Sequence, residues 1–195
     1  MKDIVKLVVI LALISAICTA ILAAVNSVTR EPIAQSKARR ILEAAQKVLP
    51  EGATPKAVTV VIADQTNTCY VSRDPNGVIN GVAIQGSCPK GYSGNITVMF
   101  GLVNDTLYNY EVIEHSETPG LGAKIKDEPF RTSLTRDSSG KPRSLSNTKW
   151  KVAKDGGDIT AITAATISSR ATLGALENAL ANYNAIKDSI VSESE

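Results

Sequence analysis

Asp158-Ile159-Thr160-Ala161-Ile162-Thr163-Ala164-Ala165-Thr166-Ile167-Ser168-Ser169-Arg170 is the stretch on which the reading of this chain turns. A run of small and hydroxyl residues leads into the last long helical pattern, where Leu173, Leu176, Leu180, Tyr183, Ile186 and Ile190 recur on one face. That pattern predicts a helix from about Ser168 whose apolar face packs on a sheet. Small residues before a helix start let another group approach the backbone. The first-turn N–H groups lack intrahelical partners and can receive a phosphate. The plainer reading of the same residues is a loop with a Ser/Thr N-cap.

Upstream, strand patterns dominate. Ala57 to Ala63 is β-branched and apolar, and Cys69 to Ser72 and Val78 to Ile84 flank the turn sequence Asp74-Pro75-Asn76-Gly77. Asn95 to Val103 and Thr106 to Glu114 flank Asn104-Asp105 in the same way and predict a second hairpin. An antiparallel sheet of four or more strands is expected, and with the final helix it makes the fold class α+β. Asp127 to Leu134 reads as a short helix and Arg136 to Asn147, rich in Ser, Lys, Arg and Pro, as a mobile surface loop with solvated basic residues. Lys149-Trp150-Lys151-Val152 suggests one more strand before the Asp155-Gly156-Gly157-Asp158 turn.

Between the hairpins lie Cys88-Pro89-Lys90-Gly91-Tyr92-Ser93-Gly94-Asn95-Ile96 and, after the second, His115-Ser116-Glu117-Thr118-Pro119-Gly120-Leu121-Gly122-Ala123-Lys124-Ile125. Thr118-Pro119-Gly120 is a turn signal. Gly120 and Gly122 leave the backbone uncovered around Leu121, so a flat ring could lie there; the alternative is a tight structural turn with Leu121 as a core plug. His115 is the only histidine, and no nucleophile-bearing motif accompanies it, which argues against hydrolase chemistry. Its expected role is a hydrogen bond that fixes the following turn.

These segments carry a resemblance. Thr163-Ala164-Ala165-Thr166 resembles the D-x-x-[S/T]-G-A-T motif at which a flavin transferase esterifies FMN, through its phosphate, to the last threonine in the G subunit of Rnf complexes and its Nqr counterpart. Here Ala164 stands at the motif's glycine and Thr160 at its aspartate, with Asp158 the nearest acid. His115 to Gly122 is similar to that family's H-x-E-T-P-G-L-G signature at every specified position, and with GYSGNI the likeness spans roughly Ala57 to Tyr183. The resemblance implies covalent FMN on Thr166, with Thr163, Ala164, Ala165, Ile167, Ser168, Glu117, Thr118, Leu121 and Gly122 around it. It implies an electron-carrier subunit of a membrane ferredoxin:NAD oxidoreductase coupled to sodium or proton movement, partnered by the other Rnf subunits and, during maturation, by the FMN transferase. Two alternatives are the matching subunit of the sodium-pumping NADH:quinone reductase and an unflavinylated, membrane-anchored scaffold.

At the amino terminus, Leu7 to Val25 reads LVVILALISAICTAILAAV without a charge, about the length of a membrane-spanning helix. It exceeds a typical signal-peptide core and ends in no compelling cleavage site, so a retained anchor is expected. Cys18 follows Ile17 rather than a small residue, which argues against a lipoprotein site. A second helix is predicted from Glu31-Pro32 to about Val48, then a linker from Ala53 to Lys56. The expected division is an anchor over residues 1–28, a helical connector over 29–56 and an FMN-binding domain over 57–195. Lys2 and Lys6 precede the span while Arg30, Lys37, Arg39 and Arg40 follow it, so the positive-inside rule alone keeps the domain cytoplasmic. The resemblance places it outside, and we follow the resemblance. In that compartment Cys69 and Cys88 form either a disulfide or two unpaired thiols.

The 195 residues, 44% hydrophobic and 21% charged, suffice for one core-bearing domain plus an attachment element. With 21 Lys+Arg against 19 Asp+Glu and no basic stripe interleaved with aromatics, nucleic-acid binding has no support.

Overall fold

The structure, a computed structural model, describes residues 2–62 and 65–192, and the side chains of 60–67 and 188–192 are left undescribed. Two compact units emerge, Met1–Arg40 and Ile41–Glu195. The first is helical throughout its described residues and belongs to α1, Lys2–Lys47. Among the described residues α1 is the one helix long and apolar enough to cross a membrane, and its apolar side chains, Leu7, Leu11, Ile14 and Leu22 among them, are exposed. Leaving them in water would cost about 25 cal/mol for each Å² of apolar surface, which a hydrocarbon environment removes.

Pro32 lies inside α1, so the predicted helix start at Glu31-Pro32 is corrected to one uninterrupted helix. Proline removes one i→i−4 hydrogen bond at a cost of about 3 kcal/mol. The apolar run before it and the helix-forming residues after it, such as Gln35, Lys37 and Arg39, favour helix on both sides. Serine and threonine hydroxyls add local bonds: Ser27 Oγ donates to the Ala24 carbonyl and Thr29 Oγ1 to that of Val25, each at 2.8 Å.

The second unit is built on a five-stranded antiparallel sheet, β1 (Lys56–Ile62), β2 (Gln65–Arg73), β3 (Ile79–Cys88), β4 (Ile96–Val103) and β5 (Thr106–Glu114), in simple sequential order. The turn residues behave as their types allow: Asn104 and Asp105 adopt φ of +46° and +57° between β4 and β5, and Gly77 adopts +86° before β3. β2 begins at Gln65 rather than Cys69, because the polar segment ahead of Cys69 pairs its main chain with β1 from Ile62↔Gln65 onward. Ala63, the predicted end of β1, lies outside the described residues.

Both sheet faces are covered. On one, Val82, Ile84, Val98, Phe100 and Leu102 pack under α3 (Thr166–Ser192), whose Leu173, Leu176 and Ile186 are buried. Leu180 and Tyr183 are partly buried on the same face, and the side chain of Ile190 lies outside the described residues. On the other, Ala83 and Met99 meet Ala44, Ala45, Val48 and Leu49 at the end of α1. This double coverage is why β4 reads as a nearly continuous apolar run rather than an alternation. A glycine admits each helix. A Cβ on Gly86 would stand 2.0 Å from the Ala175 carbonyl oxygen of α3, and one on Gly101 would stand 1.8 Å from that of Val48.

Two loop expectations are corrected. Lys149–Val152 forms no strand: Trp150 Nε1 donates to the Leu145 carbonyl at 3.2 Å, Val152 makes only an isolated bridge to Ile159, and a 3₁₀ turn follows at Ala153–Asp155. The Arg136 to Asn147 segment is a hydrogen-bonded hairpin-like loop rather than a loose one. Asp137 Oδ1 accepts the Ser139 and Lys141 N–H groups, and the half-buried Arg143 donates from Nε and Nη2 at 2.9 Å to the carbonyls of Ser133 and Asp158, while Arg136 and Lys141 are exposed as expected. Composition could not show that these polar side chains satisfy backbone groups.

Cys69 and Cys88 are both buried. Cys69 sits opposite Ile84 in the β2–β3 register, and Cys88 lies further along β3, on the order of 13 Å away at strand rise. A disulfide needs Cα atoms within about 7 Å, so the disulfide alternative falls away.

Candidate functional site

The start of α3 is shaped by the turn ahead of it. The Ala165 N–H donates to the Ile162 carbonyl at 3.0 Å, closing a turn over Thr163 and Ala164. Ala164 has φ of +61°. A turn whose third residue alone has positive φ normally takes glycine, so alanine here carries about 1 kcal/mol of backbone strain. Ser169, fully buried, locks the turn to the helix: its Oγ accepts the Ile162 N–H and donates to the Ala165 carbonyl, both at 3.0 Å. Thr166 is thereby the first residue of α3, two positions before the predicted start, and the residue ahead of it, Ala165, has no side-chain acceptor with which to cap the helix. The first-turn donors of α3 thus point out of the helix with no capping group.

Opposite this turn stands Glu117, 4% exposed. Its Oε1 accepts the Ser93 N–H at 3.1 Å, and its Oε2 accepts the Ser168 hydroxyl in a short hydrogen bond. The carboxylate is wedged between two glycines. A Cβ on Gly91 would meet Oε1 at 2.7 Å, and one on Gly122 would meet Oε2 at 2.4 Å and Ser168 Oγ at 2.5 Å. Glu117 therefore ties the Gly91–Ser93 loop, the Thr118–Gly122 loop and the first turn of α3 into one unit. Its own N–H donates to His115 Nδ1 at 3.2 Å, so the lone histidine fixes the turn as expected. The Thr118 carbonyl accepts the N–H groups of Leu121 and Ala123, leading into a 3₁₀ helix at Gly122–Lys126.

Between these elements opens a cleft of about 530 Å³ lined by Tyr92, Glu117, Thr118, Leu121, Gly122 and residues 164–168. Of the residues read from sequence, only Thr163 stands outside it, lining an adjoining cleft of about 370 Å³ with Thr160, Ile162 and Lys124. Leu121 is 45% exposed, so it is no core plug; with Ile167 at 47% and Tyr92 at 70% it makes an open apolar rim. Tyr92 is the lining residue that sequence reasoning misses as a site residue, although its place between Gly91 and Ser93 is the signal that could have found it. Among the described residues no lysine, arginine or histidine lines the cleft. Arg170, one turn along α3, is committed to Asp155 through two 2.7 Å bonds, which hold the Asp155 carboxyl below its ordinary range. Asp158 accepts the Lys149 N–H through Oδ2 at 2.7 Å and is engaged in holding that loop.

These residues fit a flavin nucleotide. An uncapped helix start suits a phosphate, the Thr166 hydroxyl stands on the first helical residue, and the apolar rim suits a flat ring. Comparison with known proteins agrees. The FMN-binding domain family matches residues 91–181, and the RnfG N-terminal region matches residues 1–48. The chain is 32% identical to the G subunit of the ion-translocating oxidoreductase complex of Vibrio parahaemolyticus, covering 94% of this chain and 90% of that one. It is 31% identical to the protein of the same name from Vibrio atlanticus, covering 90% and 88%. Among solved structures, NqrC of Shewanella oneidensis aligns over 72% of this chain and 71% of its own at 21% identity and a TM-score of 0.45.

The chain thus carries an FMN-binding domain behind a membrane-length helix. It belongs to the family formed by the G subunits of ion-translocating oxidoreductase complexes.

Proposed function

We propose that this chain is the electron-carrying G-type subunit of an Rnf-type ferredoxin:NAD oxidoreductase complex, with FMN joined through its phosphate to Thr166 Oγ1. The observation that carries the reading is the placement of Thr166 on the first turn of an uncapped helix, at the edge of an apolar-rimmed cleft. Bound FMN supplies one- and two-electron exchange. The α3 first-turn N–H groups would hold the phosphate, and Ser169 and Ala164 hold the turn that presents the threonine. Glu117, with both oxygens occupied by Ser93 and Ser168, keeps the Leu121 loop against the helix start. Leu121, Ile167 and Tyr92, which line the cleft, would hold the ring and keep water from part of it.

A lining without cations among the described residues favours a covalent attachment over a reversible one. The cleft wall offers the phosphate no ion pair, and a tether replaces it with a high effective concentration. On this reading residues 1–28 anchor the chain, 29–56 connect, and the FMN-binding domain over 57–195 lies outside the cytoplasmic membrane. The other complex subunits are its redox partners, an FMN transferase loads it, and electron flow is coupled to Na⁺ or H⁺ movement.

The test is the intact mass of the denatured chain from its native host, with peptide mapping over residues 160–170. The expected result is a gain of one FMN less water on Thr166, absent from a folded Thr166→Ala variant. An unmodified wild-type chain from a host with an active transferase would remove the covalent reading and leave the scaffold one or reversibly bound flavin.

A further inference from the structure

Arg131 in α2 (Glu128–Thr135) has no part in the cleft and is marked by no sequence motif, yet its guanidinium gathers partners from two other segments of the domain, β5 and the 3₁₀ helix. Its Nη1 donates to Asn109 Oδ1 at 2.9 Å and, in a short bond, to the Tyr110 carbonyl. Its Nη2 donates to the Lys126 carbonyl at 3.3 Å and faces Glu111 Oε2 at 3.5 Å. The guanidinium lies 5.1 Å from the centre of the Tyr110 ring. Two of these partners lead in opposite directions.

One direction is the end of α1. Asn109 Nδ2 donates to the Lys47 carbonyl at 3.2 Å, satisfying an orphan acceptor at the helix C-terminus, while Lys47 Nζ pairs with Glu111 Oε1 at 3.1 Å. The other direction is the cleft. Lys126 ends the 3₁₀ helix that begins at Gly122, and the buried Tyr110 hydroxyl donates to the Ile125 carbonyl of the same helix. Burial raises the Tyr110 pKa, the nearby Arg131 charge opposing it, so the phenol stays a donor at neutral pH. Gly122 is the residue whose lack of a side chain seats Glu117 and Ser168.

We propose that Arg131 is a positioning residue that couples the docking of the end of α1 to the cleft loop, residues 118–126, through Asn109 on one side and the Lys126 and Ile125 carbonyls on the other. The inference rests on the reading of the cleft as the flavin site for its functional meaning, and its structural content stands apart from it. A planar guanidinium is what the arrangement needs, because it serves several acceptors in fixed directions at once, whereas a lysine ammonium serves them as a point charge.

The experiment is hydrogen exchange by mass spectrometry on the full-length chain in detergent, comparing wild type with Asn109→Ala, Arg131→Gln and Arg131→Lys. Among the described residues the hydrogen bonds of Asn109 go to Lys47, Tyr110 and Arg131 and none to the 118–126 loop, so Asn109→Ala reads coupling rather than a bond lost in the loop itself. The expected result is exchange raised roughly threefold or more at residues 44–49 and also at 121–126, with the core of α3 unchanged. Arg131→Gln is expected to give the same pair of changes, and Arg131→Lys not to restore them. Faster exchange at 44–49 alone, or at neither segment, overturns the proposal. Where flavin is present, the visible circular dichroism of Asn109→Ala should change at unaltered melting temperature. Absence of flavin from every sample would count against the proposed cofactor and leave the exchange result to judge the coupling.

Discussion

The two faces of the sheet are closed by helices in similar ways and for different purposes. α3 lies over a wide apolar surface, from Cys88 and Gly86 at one end to Val82 and Leu102 at the other, and carries Thr166 at its start. The end of α1 covers a smaller patch, Ala83 and Met99 with the partly buried Tyr70 and Ile113, and its last turn is held by polar groups, Asn109 and Glu111. The wide face stabilises the domain and sets where the cleft lies. The narrow face holds the end of α1 with fewer buried apolar residues.

The sharpest way to break this contrast is to close each glycine gap. Gly86→Ala drives a methyl group into the Ala175 backbone, and Gly101→Ala drives one into the Val48 backbone. We expect Gly86→Ala to cost about 3 kcal/mol or more, as overpacking against main chain does, and to lower the melting temperature of the whole domain. Gly101→Ala should instead make residues 44–52 sensitive to protease while the sheet and α3 keep their melting transition. Equal global loss from both would show that the two faces share the load.

A smaller effect is expected at the α3 start. Ala164→Gly relieves the strain at φ of +61°, so despite the added unfolded-state entropy the melting temperature should hold or rise, by up to about 1 kcal/mol in stability. Flavin loading should be kept or improved, since glycine presents the same turn with less strain. A fall in both would mean that the Ala164 methyl itself makes a needed contact with the cleft contents.

The smallest effect concerns pH. Asp155, bonded to Arg170, has its pKa lowered from 3.8, so its contribution is present above the unfolded value and is lost as pH falls below about 4 through the folded one. Arg170→Gln should flatten this part of the melting temperature against pH curve. The exposed Lys47–Glu111 pair on the narrow face is the control, and Lys47→Gln should change stability by less than about 1 kcal/mol.

Much of the architecture is legible locally. The strands announce themselves through β-branched runs bounded by Asp74-Pro75-Asn76-Gly77 and Asn104-Asp105, and α3 through its apolar spacing, because period and turn chemistry are properties of a few neighbouring residues. The site residues are legible by resemblance to a motif: Glu117, Leu121 and Thr166 stand out in the sequence, and only the fold brings their loops together in one cleft. What fails locally fails for lack of a partner in view. Lys149–Val152 has strand-like residues and makes only an isolated bridge, Val152 to Ile159, and the polar run before Cys69 has no pattern but finds β1.

Sequence pattern was enough to establish the membrane-length helix, the antiparallel sheet and the closing helix, since each depends on side chains close in the chain, whereas the chemistry expected of the threonine turn came from resemblance to a motif. Tertiary structure alone decided that Cys69 and Cys88 are too far apart to join, that Ala164 must turn left-handed, and that Arg131 stands between the end of α1 and the cleft. Those facts depend on register, on backbone dihedrals and on hydrogen bonds between segments distant in sequence, which become definite only when the whole sheet is assembled and both its faces are covered.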